Sequence, residues 1–207
     1  MKKYYWILIF NLIFASCNFK KSNETENILS ADYYFNQGLN YYYNNNYSAA
    51  LINIDKAISL DSAVSDYYLN RGAIKELVYD DFISALDDYT KAVELNDKNA
   101  VAYYNIGCVL SDYGNDMDAI ELFKKAIEIY PDYYPAYFNY ACSQFRLKNY
   151  DDALKNFETA ANFDNTHANN ALYYIGLIYK EKGELEKAKA YFEKAVENGN
   201  EEAKKEL

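Results

Sequence analysis

One histidine, one tryptophan and three cysteines are all that this 207-residue chain holds of those types, and the shortage removes most routes to chemistry. The histidine, His167, stands in the run Asp164-Asn-Thr-His167 and reads as a surface-loop residue rather than a general base. No histidine pair, paired-cysteine spacing or glycine-rich phosphate loop occurs, so neither a metal-ligand set nor a nucleotide cradle is present. Carboxylates are plentiful but fall at helix-surface spacing without an identifiable partner. On this reading the chain is not an enzyme, and neither a cofactor nor a metal is expected.

Positive charge is also scarce. Lysine and arginine number 21 against 31 acidic residues, a formal net charge of −10, and such a surface repels a phosphate backbone, which argues against a nucleic-acid partner. Long apolar runs are limited to the stretch from about Tyr4 to Ala15, which Asn11 interrupts. It is too short for a hydrocarbon core that needs about 20 residues.

What the chain does have is periodicity. A small residue is followed twelve positions on by an alanine and seven further on by another: Gly38, Ala50, Ala57; Gly72, Ala85, Ala92 with one extra residue; Gly107, Ala119, Ala126; Ala141, Ala153, Ala160; and Gly176, Ala188, Ala195. The first members advance by 34, 35, 34 and 35 residues, the step of an array built by stacking one supersecondary unit. Within a unit, apolar residues recur at three and four, which predicts two helices. In the third, Tyr103, Ile106, Gly107 and Leu110 share one face, and Ala119, Ile120, Phe123, Ala126 and Ile127 share another across the turn Tyr113-Gly114-Asn115. Small residues mark where two helices cross, since a larger side chain would push axes apart that pack about 8 to 10 Å from one another. Tyr34, Tyr68, Tyr103 and Tyr137 on the first helices, and Tyr89, Phe123, Phe157 and Phe192 on the second, fill the space beside the crossings.

This pattern resembles the tetratricopeptide repeat, whose signature is an aromatic, leucine-glycine, a tyrosine, an alanine, an aromatic, an alanine and a closing proline. The resemblance implies an all-α fold: a right-handed superhelical α-solenoid of five helix-turn-helix units at residues 31–64, 65–99, 100–133, 134–168 and 169–200, with a capping helix at 201–207. The step of 34 to 35 disfavours Sel1-like, HEAT and armadillo repeats, whose units are longer. Departures are Tyr in place of the first Trp, Leu172 at that position in the fifth unit, and a closing proline only at Pro131; Ser62, Asp97, Asn165 and Asn200 stand at the other closing positions and are expected to start the next helix by accepting from its free N–H groups.

Lys2 and Lys3, the apolar stretch and Phe14-Ala15-Ser16-Cys17 together resemble a bacterial lipoprotein signal peptide, with Phe14 where leucine is usual. The resemblance implies removal of residues 1–16, acylation of Cys17 and a flexible tether over 17–30. That places the protein in the bacterial cell envelope, lipid-anchored to the outer or cytoplasmic membrane. Removing residues 1–16 takes away two lysines and no carboxylate, leaving −12. The tether spans about 20 Å root-mean-square, and Lys20 and Lys21 add only about 2 kcal/mol of headgroup attraction, so lipid rather than charge would hold the chain.

Cys108 and Cys142 occupy equivalent points on neighbouring first helices. Packing at about 8 to 10 Å exceeds the roughly 7 Å that a disulfide's Cα atoms allow, so both thiols are expected to stay free. Tyrosine and asparagine are frequent, most densely in Tyr41-Tyr-Tyr-Asn-Asn-Asn-Tyr47, which reads first as compositional bias and only second as a binding feature.

In the family the first helices line a concave groove. The resemblance carries Asn36, Asn70, Asn105 and Asn139 onto that wall, with Tyr174 in the fifth unit, and an asparagine amide matches the acceptor-donor pair of an extended backbone. Phe35, Leu69, Tyr104, Phe138 and Tyr173 would form an apolar ladder beside them, either open to a ligand or buried as core. A clamp for an acidic peptide end needs more cations than Arg71, Arg146 and Lys180 supply. The expectation is a membrane-anchored scaffold, monomeric alone, that holds a peptide segment or helix of another envelope protein, in the general trade of pilotins and outer-membrane assembly factors. The alternatives are a small-ligand or glycan binder using the aromatic wall, and a self-associating structural subunit.

Overall fold

The computed structural model describes residues 29–163 and 165–207. The expected leader at 1–16, Cys17, the tether as far as residue 28 and the side chains of Asn165 and His167 lie outside the described residues. Among those described the fold is all-α, ten helices without a strand: α1 (Ala31–Tyr43), α2 (Tyr47–Leu60), α3 (Ser65–Tyr79), α4 (Phe82–Leu95), α5 (Ala100–Asp112), α6 (Asp116–Ile129), α7 (Tyr134–Arg146), α8 (Tyr150–Phe163), α9 (Asn165–Glu181) and α10 (Leu185–Glu197), closed by a short 3₁₀ helix, Glu202–Glu206. None of the described helices is long and apolar enough to cross a membrane. The chain divides into two compact units, one ending at Ala85 and the other beginning at Leu86.

In the first unit α1 and α2 pair across a three-residue turn, and α3 packs on α2. Ser30 caps α1 by accepting from the Tyr33 N–H at 3.1 Å, and Asn46 caps α2 by accepting from Ala49, each satisfying a donor that the helix cannot. The crossing lies where the small residues predict. A methyl on Gly38 would stand 2.7 Å from Ile54 Cγ1 and 3.1 Å from the Ala50 carbonyl oxygen, so the helices approach to a distance that only glycine permits. Ala50, Ile54, Ala57, Tyr67 and Ile74 form the core.

The second unit repeats this plan. α5 pairs with α6, α7 with α8 and α9 with α10, while α6 packs on α7 and α8 on α9. Gly107 faces Phe123, and Gly176 faces Phe192, with hypothetical methyl contacts of 2.7 and 2.5 Å. Phe123, Phe157 and Phe192 are sealed from solvent together with the alanines of the same pattern, so no hairpin hides its apolar face alone. The 3₁₀ helix covers the free side of α10, burying Ala203 against a cluster that includes Phe192, Tyr173 and Leu177.

The turns that follow α1, α3, α5, α7 and α9 share one backbone feature. Asn45, Asp80, Gly114, Lys148 and Gly183 all take a left-handed conformation, φ between 53° and 81°, and they recur at the repeat step. Between repeats the expected caps shift. Ser62 and Asp97 do not cap; α3 begins after Val64, and α5 is capped by Asn99, whose side chain accepts from Ala102 at 3.0 Å. The closing residues sit two or more positions before the next helix, where Asp61 and Asn96 hold the loops by accepting from Ala63 and Lys98. Asn200 does behave as a cap, accepting from Ala203 at 3.0 Å. The fifth hairpin starts earlier than its repeat boundary at 169, because α9 runs from Asn165.

Candidate functional site

In the second unit the wall is built from α5, α7 and α9. Asn139 and Tyr104 stand one position out of phase on neighbouring first helices, and the Asn139 amide donates to the Tyr104 hydroxyl at 2.8 Å and to Cys108 Sγ at 3.3 Å. Its Oδ1 has no partner among the described residues. Asn105 is buried, 3% exposed. Of the aromatic ladder, Tyr104 is not an open rung: it is 6% exposed and packs edge-on to Tyr133 and against Phe123, because the loop before α7 folds over it. Phe138 and Tyr173 remain half-buried. Phe138 meets Phe157 and Tyr174 edge-on, and Tyr174 stacks on Phe157 with centroids 5.1 Å apart.

Cys108 and Cys142 are not joined in a disulfide and lie in the recesses of this wall. Burial pushes the Cys142 thiol up to about 12. The neighbouring Cys142, together with burial, pushes the Tyr174 phenol to about 12 as well. Both are therefore neutral at ordinary pH, and the recess is an uncharged surface rather than a nucleophilic one.

In the first unit Asn36 is exposed, while Asn70 turns its amide onto the Asp66 carbonyl of its own helix at 2.8 Å. Phe35 packs on Tyr67, centroids 4.7 Å apart, and Leu69 is half-buried. Thus the asparagine row is not uniform: Asn139 bridges two helices, Asn70 serves its own, and Asn36 is open.

The three cations near the walls are committed to internal partners. Arg71 pairs with Asp55 at 2.7 Å, and Lys180 pairs with Glu206. Arg146 Nε donates to both Asp116 carboxylate oxygens at 3.0 and 2.9 Å, and its Nη2 donates to Asp116 and Ser111 and, at 3.1 Å, to Ser143. Asp116 is 7% exposed and Ser143 is sealed. Burial alone would raise the Asp116 carboxyl, but the hydrogen bonds from Arg146, Ser143 and Ser111 outweigh it and hold it below the usual carboxylate range. This staple between the third and fourth repeats escaped the sequence reading, although its signal was there: Arg146 and Asp116 are 30 residues apart, one repeat less one helical turn. Among the described residues no group of three or more histidine, cysteine or carboxylate side chains is placed to hold a metal. The wall offers aromatic edges, small recesses and amide acceptors.

Hairpins of two helices, stacked at a step of 34 to 35 residues with glycine or alanine at each crossing, define a helical-repeat protein. Tetratricopeptide-repeat sequence patterns match residues 31–64, 100–133, 122–155 and 170–198, together more than half of the chain, and the chain belongs to that family. Among solved structures, YrrB, described as a tetratricopeptide-repeat protein with an unusual peptide-binding site, is 26% identical over 86% of this chain and 93% of its own, with a TM-score of 0.72. MamA is 24% identical over 81% of this chain and 96% of its own, TM-score 0.71. The pilF protein of Pseudomonas aeruginosa is 19% identical over 83% and 77%, TM-score 0.72. The last two likenesses are of fold alone. No curated protein matches the chain by sequence.

Proposed function

We propose that the chain is an envelope scaffold, anchored through lipid at Cys17, that holds an extended segment of another protein against its first helices. The observation that carries this reading is the wall of α5 and α7. Those two helices contain a single ionisable carboxylate, Asp112, and a single cation, Arg146, and the cation is spent on Asp116. They offer instead the half-buried Phe138 and the Asn139 Oδ1. Such a surface recognises peptide N–H groups and apolar side chains, and YrrB, the relative with the peptide-binding site, shares the fold and 26% of the sequence.

The test is photocrosslinking in intact cells from position 138 or 173, since Tyr104 is too deeply buried to report a guest. A crosslink to one envelope protein at either position, absent from an exposed control at Glu158, supports the reading. Labelling no stronger than at the control rejects it. Cys17→Ser followed by membrane fractionation tests the anchor, with release into the soluble fraction expected.

A further inference from the structure

One exposed face of α1 differs from the rest of this acidic chain. Tyr33, Asn36, Asn40, Tyr41, Tyr43 and Asn44 are all exposed, the three tyrosines at 43%, 36% and 52%, and no charged residue occurs anywhere from Tyr33 to Ile54. Asp32, at the edge of this face, accepts the Tyr67 hydroxyl. Among the described residues no helix packs on this side of α1, and Asn44 spends its amide on the Asn40 carbonyl of the same helix at 2.8 Å.

We infer that this face is a membrane-contact surface, its occupant the headgroup layer of the bilayer that holds Cys17; the inference rests on the anchoring proposed above. Three observations select that occupant. Residues 18–30 separate Cys17 from the first helix, a reach of at most about 45 Å, so α1 is the element delivered to the membrane. Tyrosine is enriched at the level of the headgroups, where its ring is in the apolar layer and its hydroxyl in the wet one. A surface that carries −12 overall is repelled by an anionic leaflet, and a long uncharged stretch is where it approaches without that cost. The tyrosine–asparagine run therefore sets how the array stands on the membrane.

The experiment uses the full chain, acylated in its own membranes, in a Cys108→Ser, Cys142→Ser background verified by circular dichroism. A fluorophore is placed at Asn40→Cys or, as a control, at Glu158→Cys, and quenching by spin-labelled lipid is measured. Several-fold stronger quenching at 40 than at 158, reduced by Tyr33→Ser with Tyr41→Ser and Tyr43→Ser, is the expected result. Equal quenching at both sites, with the protein still in the membrane fraction, overturns the contact while leaving the anchor intact. Recovery of the protein in the soluble fraction overturns both. Sedimentation of Cys17→Ser protein adds a third arm: a dimer abolished by the tyrosine substitutions would assign the face to a second copy and overturn the membrane assignment.

Discussion

The amide of Asn139 reaches the hydroxyl of Tyr104, 35 positions earlier, at 2.8 Å, so a residue of the expected binding row also ties the third repeat to the fourth. Asn139→Ala should therefore lower stability by about 1 to 2 kcal/mol through the bonds lost to Tyr104 and Cys108, before any ligand is present. Asn36→Ala, at an exposed position, should stay within about 0.5 kcal/mol of the parent. Urea denaturation followed by helicity separates the two, and equal midpoints would mean that the bridge contributes nothing.

Gly176 should not tolerate a methyl. Its added Cβ would meet the Phe192 ring at 2.5 Å, and that ring is 1% exposed with no room to swing away. Gly176→Ala should cost about 1 to 3 kcal/mol, the range for overpacking a tight core. Combining it with Phe192→Leu should cost less than the sum of the two single changes, because the smaller side chain vacates the space. Strict additivity in thermal melts would show that the clash is relieved elsewhere.

These crossings are the part of the molecule most legible in the sequence, because a close approach admits only glycine or alanine and the pattern recurs in five units. The walls were less legible. Whether Tyr104 is open or buried depends on Tyr133 in the loop between repeats, and periodicity within helices carries no information about loops. The same limit explains the caps: Asn99 and Asp61 hold loop geometry that the closing-residue pattern placed at Asp97 and Ser62. The Arg146–Asp116 staple joins a helix end to a helix start, where each residue alone reads as surface charge.

The left-handed turn residues offer a gain. Lys148 holds φ 61°, a conformation that strains a side chain through its Cβ. Lys148→Gly should stabilise by about 0.5 to 1 kcal/mol, the strain relieved less the added freedom of the unfolded chain. The converse change at the equivalent position, Gly183→Ala, meets no atom within 4 Å, so any loss there reports backbone strain alone. A rise in the urea midpoint for the first and a fall for the second is the expected pair.

Cys142 should be slow to alkylate. Burial raises its thiol from 9.0 to about 12, so at pH 8 the thiolate is about a thousandfold scarcer than for an unperturbed thiol. In Cys108→Ser protein, iodoacetamide should modify Cys142 slowly in the folded state and rapidly in denaturant. Comparable rates in both would show that the recess between α7 and α9 opens freely.

Acid should release the staple in a defined direction. Asp116 is held below the usual carboxylate range in the folded chain, whereas in the unfolded chain it titrates near about 3.9. A group depressed on folding contributes stability that is fully present above its unfolded value and is lost as pH falls through the lower, folded one. Asp116→Asn should thus be less stable than the parent at neutral pH by about 1 to 3 kcal/mol, and the gap should narrow below about pH 4 as the parent loses the same contribution. The Arg146 side chain is 45% exposed, so solvent screens the outer part of the pair and moves the effect toward the lower end of that range. Urea midpoints measured from neutral to acid pH test this, and a gap that stays constant through the acid limb would show that the Asp116 charge is not what links the two repeats.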